Sequence, residues 1–182
     1  MIGSHGVQIS EKAFFREMDG IRTILTGLVL LLIACGPEEE LVIGSEAPNF
    51  QAELTNGRLY ELQDSRGGLV LLDFWASWCG PCLKELPELV RLNNEYAPMG
   101  LTIVSVALEK RQGVWLKAVE RFGMDWKYQI VRDVDFVRFD EIASKYDVTE
   151  IPAKFLLDEE GNIIAVRPTL KELEGILKER LH

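Results

Sequence analysis

Two of the three cysteines in this chain stand three positions apart, in Trp78-Cys79-Gly80-Pro81-Cys82. That spacing lets two sulfurs meet across one helical turn, so a disulfide can close and open with little backbone movement. Three uses of such a pair have to be weighed: reversible thiol-disulfide exchange, a static crosslink, or half of a zinc site. Structural zinc takes four ligands. The chain offers no second cysteine pair, and its two histidines, His5 and His182, lie at the ends, so no metal is expected. If Cys79 opens a helix, the unpaired amides and the positive end of the helix dipole stabilise its thiolate and make it the nucleophile. Cys82, one turn further in and expected to be buried, is then the resolving thiol that attacks a mixed disulfide.

The flanking sequence supplies such a junction. Leu69 to Trp75 is apolar except for Asp73 and follows Gly67-Gly68, which predicts a strand covered on both faces. Beyond the cysteines, Leu83, Leu86 and Val90 recur at helical spacing, with Pro87 expected to kink the helix. Before them, Asn56-Gly57 separates two alternating segments, 50–54 and 58–62, and predicts a β-hairpin. After them come a strand at 101–106, a helix at 114–122 with Val114, Trp115, Ala118, Val119 and Phe122 on one face, and a short strand at 128–131. A helix is expected at 138–146, a hairpin from strands 154–157 and 163–166, and an amphipathic helix at 170–181. Strands alternating with helices, closed by a hairpin, predict an α/β domain whose central mixed β-sheet is flanked by helices.

The 182 residues suit one domain with appendages. The net charge of -9, with no basic run longer than Lys110-Arg111, argues against a nucleic-acid partner. Thr23 to Ala34 is an apolar stretch of about a dozen residues behind Arg22, the length of a signal-peptide core and short of a membrane span. It ends in Leu32-Ile33-Ala34-Cys35. Residues 1–34 are therefore expected to be a signal peptide, for which Met18 would give the more compact start. Positions 35–46 are read as a lipidated N-terminus and a tether, and 47–182 as the folded domain.

The Leu-Ile-Ala-Cys ending resembles the lipobox of bacterial lipoproteins, which implies acylation of Cys35 and leaves Cys79 and Cys82 as the redox pair. Asp73-Phe74-Trp75-Ala76-Ser77-Trp78-Cys79-Gly80-Pro81-Cys82 closely resembles the active-site segment of thioredoxins. Residues 47–182 as a whole resemble the TlpA/ResA-like branch of exported thiol-disulfide oxidoreductases. The resemblance implies a thioredoxin-like fold with an N-terminal β-hairpin and no cofactor. It makes Val148-Thr149-Glu150-Ile151-Pro152 the cis-proline loop, with Pro152 beside the disulfide and the backbone around Ile151 pairing with substrate. The usual threonine after that proline is Ala153. Asp73 falls at the position of the buried aspartate behind the resolving cysteine, where an acid in an apolar strand should have a raised pKa and could take the Cys82 proton. Glu85 matches a glutamate near the active site of ResA-like proteins. Trp75 and Trp78 could shape the substrate surface, Trp78 being the more exposed, and Gly80-Pro81 is the pair that tunes thioredoxins as reductants.

The implied partners are disulfide-bearing proteins, among them the haem-binding thiols of apocytochrome c during cytochrome maturation, and a membrane thiol-electron donor. A monomer is expected, held by its lipid at the periplasmic face of the inner or outer membrane. Gly36, in place of an aspartate after Cys35, leaves both membranes open. Two alternatives stand beside this one: a thiol peroxidase of peroxiredoxin type, whose usual Pro-x-x-x-Thr/Ser-x-x-Cys context is absent before Cys79, and a non-enzymatic lipoprotein with a static disulfide.

Overall fold

A computed structural model describes residues 41–110 and 113–181; the apolar stretch 23–34 and Cys35 lie outside them. The elements are β1 (Gln51–Glu53), β2 (Leu59–Glu61), β3 (Leu69–Trp75), α1 (Gly80–Tyr96), β4 (Leu101–Glu109), α2 (Val114–Phe122), β5 (Tyr128–Asp133), α3 (Glu141–Lys145), β6 (Ala153–Leu157), β7 (Ile163–Val166) and α4 (Leu170–Leu181). Five strands form one sheet in the order β5-β4-β3-β6-β7. β3, β4 and β5 run parallel, while β6 and β7 are antiparallel, so the sheet is mixed, as expected. β1 and β2 make the N-terminal hairpin.

β3 lies at the centre of this sheet with all seven residues buried, because its two pleated faces pack against different layers. Val70, Leu72 and Phe74 join Phe50, Tyr60, Tyr146 and Phe155 on one side. Leu69, Leu71 and Trp75 join Leu86 and Leu89 of α1 and Leu173 and Leu177 of α4 on the other. The buried stripe of α1 is Cys82, Leu86, Leu89, Leu92, Asn93 and Tyr96; the predicted Leu83 and Val90 only flank it. The 100° advance per residue places Cys82 at the head of that stripe, so packing of the helix holds the second cysteine against the sheet. Pro87 sits within α1, which is continuous through it.

Several boundaries differ from expectation. β4 and β5 run on to Glu109 and Asp133, pairing Leu108 with Arg132 and Glu109 with Asp133, because cross-strand hydrogen bonding outlasts the apolar pattern. Val114 is exposed and only Ala118 of α2 is fully buried, since one edge of this short helix meets the domain. Contacts also begin before residue 47: Gly44 N–H donates to Ile163 O at 2.8 Å and Ile163 N–H to Ser45 O at 2.8 Å, which fastens the end of the expected tether to β7.

The helix predicted over 138–146 is divided. A 3-10 turn spans Val137–Phe139 and α3 begins at Glu141, with Asp140 extended between them. Buried Asp140 causes the break. Its Oδ1 accepts from Ile142 N–H and Ala143 N–H at 2.9 Å each, and its Oδ2 accepts from Arg132 Nε at 2.6 Å. An N-cap must leave helical φ/ψ to make these bonds. Asp140→Ala is therefore expected to lower stability by about 2 kcal/mol in urea unfolding, and a loss under about 0.5 kcal/mol would contradict this account of the cap.

Candidate active site

Strand β3 ends one turn before helix α1 begins, and the cysteines occupy that junction. Cys79 is the N-cap residue, with extended backbone at φ -86° and ψ 100°. Gly80 and Pro81 open the helix, where a proline loses no intrahelical hydrogen bond. Cys79 and Cys82 form a disulfide with S–S 2.04 Å and Cα–Cα 5.2 Å. Cys82 N–H donates to Cys79 Sγ at 3.2 Å, so the helix terminus directs an unpaired amide at the first sulfur. This is the arrangement that stabilises a thiolate there once the bond is reduced. Both cysteines are buried in this oxidised form.

The Ile151-Pro152 peptide is cis, and Ile151 O stands 3.7 Å from Cys79 Sγ. The loop before β6 thus lies against the sulfur at the helix terminus, and Ala153 begins β6 directly. The two tryptophans part company. Trp78 is 45% exposed, whereas Trp75 is buried in the layer beneath α1 and offers a substrate nothing. The Trp78 indole N–H donates to Leu108 O at 3.1 Å. Beside it, Glu109 receives Ser77 N–H at 2.7 Å and the Ser77 hydroxyl at 2.8 Å. The end of β4 therefore clamps both residues that precede Cys79. Glu109 was not singled out from sequence; its signal was a lone acid closing the apolar run of β4.

Asp73 is 1% exposed, so its side chain does not reach solvent and is buried as the resemblance implied. By strand alternation it lies between Leu71 and Trp75, on the face that α1 and Cys82 cover. Opposite it in register on β6 is Lys154, only 3% exposed. Lys154 Nζ is 3.6 Å from Asp73 Oδ1, an ion pair too long for a hydrogen bond, and it is hydrogen-bonded to Glu85 Oε2. Burial pushes the Asp73 carboxyl up from its ordinary value, the Lys154 charge pulls it partly back, and Glu85 pushes it up again. Glu85, partly exposed on α1, is thus tied to the buried acid through Lys154. Sequence reasoning missed Lys154, although a single cation in the apolar run Ala153-Lys154-Phe155-Leu156-Leu157 needs a buried counter-charge.

Known proteins place this geometry. The AhpC/TSA family model matches residues 43–166. The thiol-disulfide oxidoreductase ResA of Bacillus thuringiensis subsp. konkukian is 32% identical over 171 residues, covering 86% of this chain and 95% of the relative. ResA of Bacillus subtilis is 32% identical over 153 residues, covering 79% and 82%. Among solved structures, the thioredoxin domain of a thiol-disulfide oxidoreductase from Bacteroides vulgatus superposes with TM-score 0.69 at 28% identity, covering 79% of this chain and all of that one. A thiol:disulfide interchange protein from Bacteroides sp. gives TM-score 0.68 at 30% identity, covering 78% and 91%. With its disulfide at the head of α1 and the cis-proline loop beside it, the chain belongs to the AhpC/TSA family and, within it, to the ResA-like thiol-disulfide oxidoreductases.

Proposed function

We propose that this enzyme is an exported, lipid-anchored reductant of protein disulfides. The observation that carries the reading is Cys79 at the head of α1, with the Cys82 amide on its sulfur and Ile151 O beside it. In the reduced enzyme the Cys79 thiolate attacks one sulfur of a substrate disulfide. That bond breaks, the other substrate sulfur leaves as a thiolate and takes a proton, and a mixed disulfide holds the substrate on Cys79. Cys82 gives its proton to Asp73 and attacks Cys79 Sγ. The second substrate sulfur leaves, the Cys79–Cys82 bond closes, and two electrons have passed to the substrate. The backbone at Ile151 and Pro152 aligns the substrate chain, Trp78 borders it, and Glu85 with Lys154 links Asp73 to the surface.

Gly80-Pro81 favours the reducing direction. A titration against glutathione is expected to place the couple near the roughly -270 mV of thioredoxin, and a value near the roughly -120 mV of DsbA would reverse the direction. A reductant outside the cytoplasm needs a supply of electrons, so a membrane dithiol donor is part of this proposal, as is a monomeric enzyme acting on oxidised protein thiols such as those of apocytochrome c. Export rests on residues 1–34 and anchoring on Cys35, with 35–46 as anchor and tether. No helix of the described residues is long and apolar enough to cross a membrane. Mass analysis of the mature protein is expected to find Cys35 acylated at the N-terminus; an unmodified, uncleaved chain would remove the anchor from the proposal.

A further inference from the structure

Trp78, Phe136 and Phe139 are the strongly exposed aromatic side chains among the described residues, at 45%, 61% and 71%; Trp78, the residue before Cys79, shares a groove with Phe136, against which Phe139 packs. The local fold explains the two phenylalanines. Val137 packs inward against the core and Asp140 caps α3, and the 3-10 turn between them aligns residues three apart, so Phe136 and Phe139 point outward together. Their rings meet edge to face at 5.8 Å. Arg138 stacks 4.9 Å from the Phe139 ring and Lys110 4.8 Å from the Trp78 ring. Trp78 and Phe136 face the same open groove, lined also by Val137, Lys110, Arg138 and Asp135.

The groove shares its walls with segments that lead into the site already described. Trp78, at one wall, precedes Cys79; Thr149, also lining it, lies two residues before Ile151. A chain lying in the groove therefore touches the residue before Cys79 and the loop that leads to Ile151. Its Trp78 wall is fixed in advance by the bond to Leu108 O and by the Glu109 clamp on Ser77, which spares ordering on binding. Exposed aromatics with arginine are the side chains that dominate protein recognition. Two cations against the single carboxylate of Asp135 give the lining a positive balance, on a chain whose net charge is -9.

We propose that this groove docks the substrate segment flanking the disulfide, seating a large apolar side chain between Trp78 and Phe136 and a carboxylate against Lys110 and Arg138. The inference rests on the disulfide-reductase reading and narrows its substrate class. A large apolar side chain beside a cystine is reachable only where the segment is extended, so the substrates are unfolded or loosely folded chains carrying that pattern.

The test uses the full-length protein with three disulfides: hydroxyethyl disulfide, a peptide cystine flanked by Phe and Asp, and the same peptide with Ser and Lys in their places. The Phe/Asp peptide is expected to show kcat/KM about tenfold or more above the Ser/Lys peptide. Phe136→Ser should lower the Phe/Asp peptide rate, divided by the hydroxyethyl disulfide rate, by about tenfold. Lys110→Glu combined with Arg138→Glu should reverse the preference between a peptide with Asp and one with Lys. All three positions are exposed, so folding is spared. Equal rates for the two peptides, or ratios that the variants leave unmoved, would overturn the groove while the reductase reading stands. A wild-type protein inert towards all three disulfides would overturn both.

Discussion

Cys79→Ser is expected to abolish the reduction of insulin disulfides, by more than about 10³-fold, while Cys82→Ser is expected to turn the enzyme into a trap. The two variants separate because the sulfurs occupy unequal positions. Cys79 is the N-cap of α1 and receives the Cys82 amide, so without it no thiolate faces the substrate. Cys82 lies at the head of the buried stripe of α1, within bonding reach of Cys79, and is assigned the resolving step. With serine there, the first exchange proceeds and the second cannot, leaving substrate bound through Cys79. Mass analysis without reductant should find a one-to-one covalent adduct with Cys82→Ser and none with Cys79→Ser. The reverse pattern would exchange the two roles. Neither adduct nor wild-type turnover would return the disulfide to the status of a static crosslink.

How far the sequence led depended on the range of the interactions involved. The cysteines, the strand before them and the helix after them are neighbours in the chain, so spacing and periodicity were enough to place them. The closing helix, 170–181, was also legible, because its apolar stripe and limits are local. What failed was set across the sheet. Lys154 reads as an ordinary strand residue until the antiparallel register of β3 with β6 puts it opposite Asp73. Glu109 reads as the polar end of a strand until the turn at Ser77 folds back onto it. The expected helix over 138–146 broke for a related reason: Asp140 is bound both to its own helix and to Arg132 of a neighbouring strand. The outward-facing pair Phe136 and Phe139 follows from that break, and no pattern in the sequence distinguished it from core.

The buried acid leads to a second large effect, in which stability and turnover are expected to move in opposite directions. Burial raises the Asp73 pKa in the folded protein above its unfolded value of about 3.9. Below that unfolded value both states carry the proton and Asp73 costs nothing. As pH rises, the unfolded state releases the proton first, the folded state binds more protons than the unfolded one, and stability falls until the folded pKa is passed. Asp73→Asn removes this penalty. In urea unfolding at neutral pH the variant should be the more stable of the two, and the gap should close below about pH 4. Lys154 keeps its bond to Glu85 in either protein, so the substitution does not leave a buried cation unpaired. Turnover should fall, by about 10²-fold or more at neutral pH, because a positioned base is lost. The profile supplies the discriminating readout. Wild-type release of substrate from Cys79 should rise with pH as Asp73 ionises, whereas Asp73→Asn should lose that limb and recover only in the alkaline range where Cys82 ionises unaided. An unchanged profile would remove Asp73 as the base, and a variant that matches wild type below about pH 4 but becomes the less stable of the two as pH rises would show that the ion pair with Lys154 outweighs the cost of burying the charge.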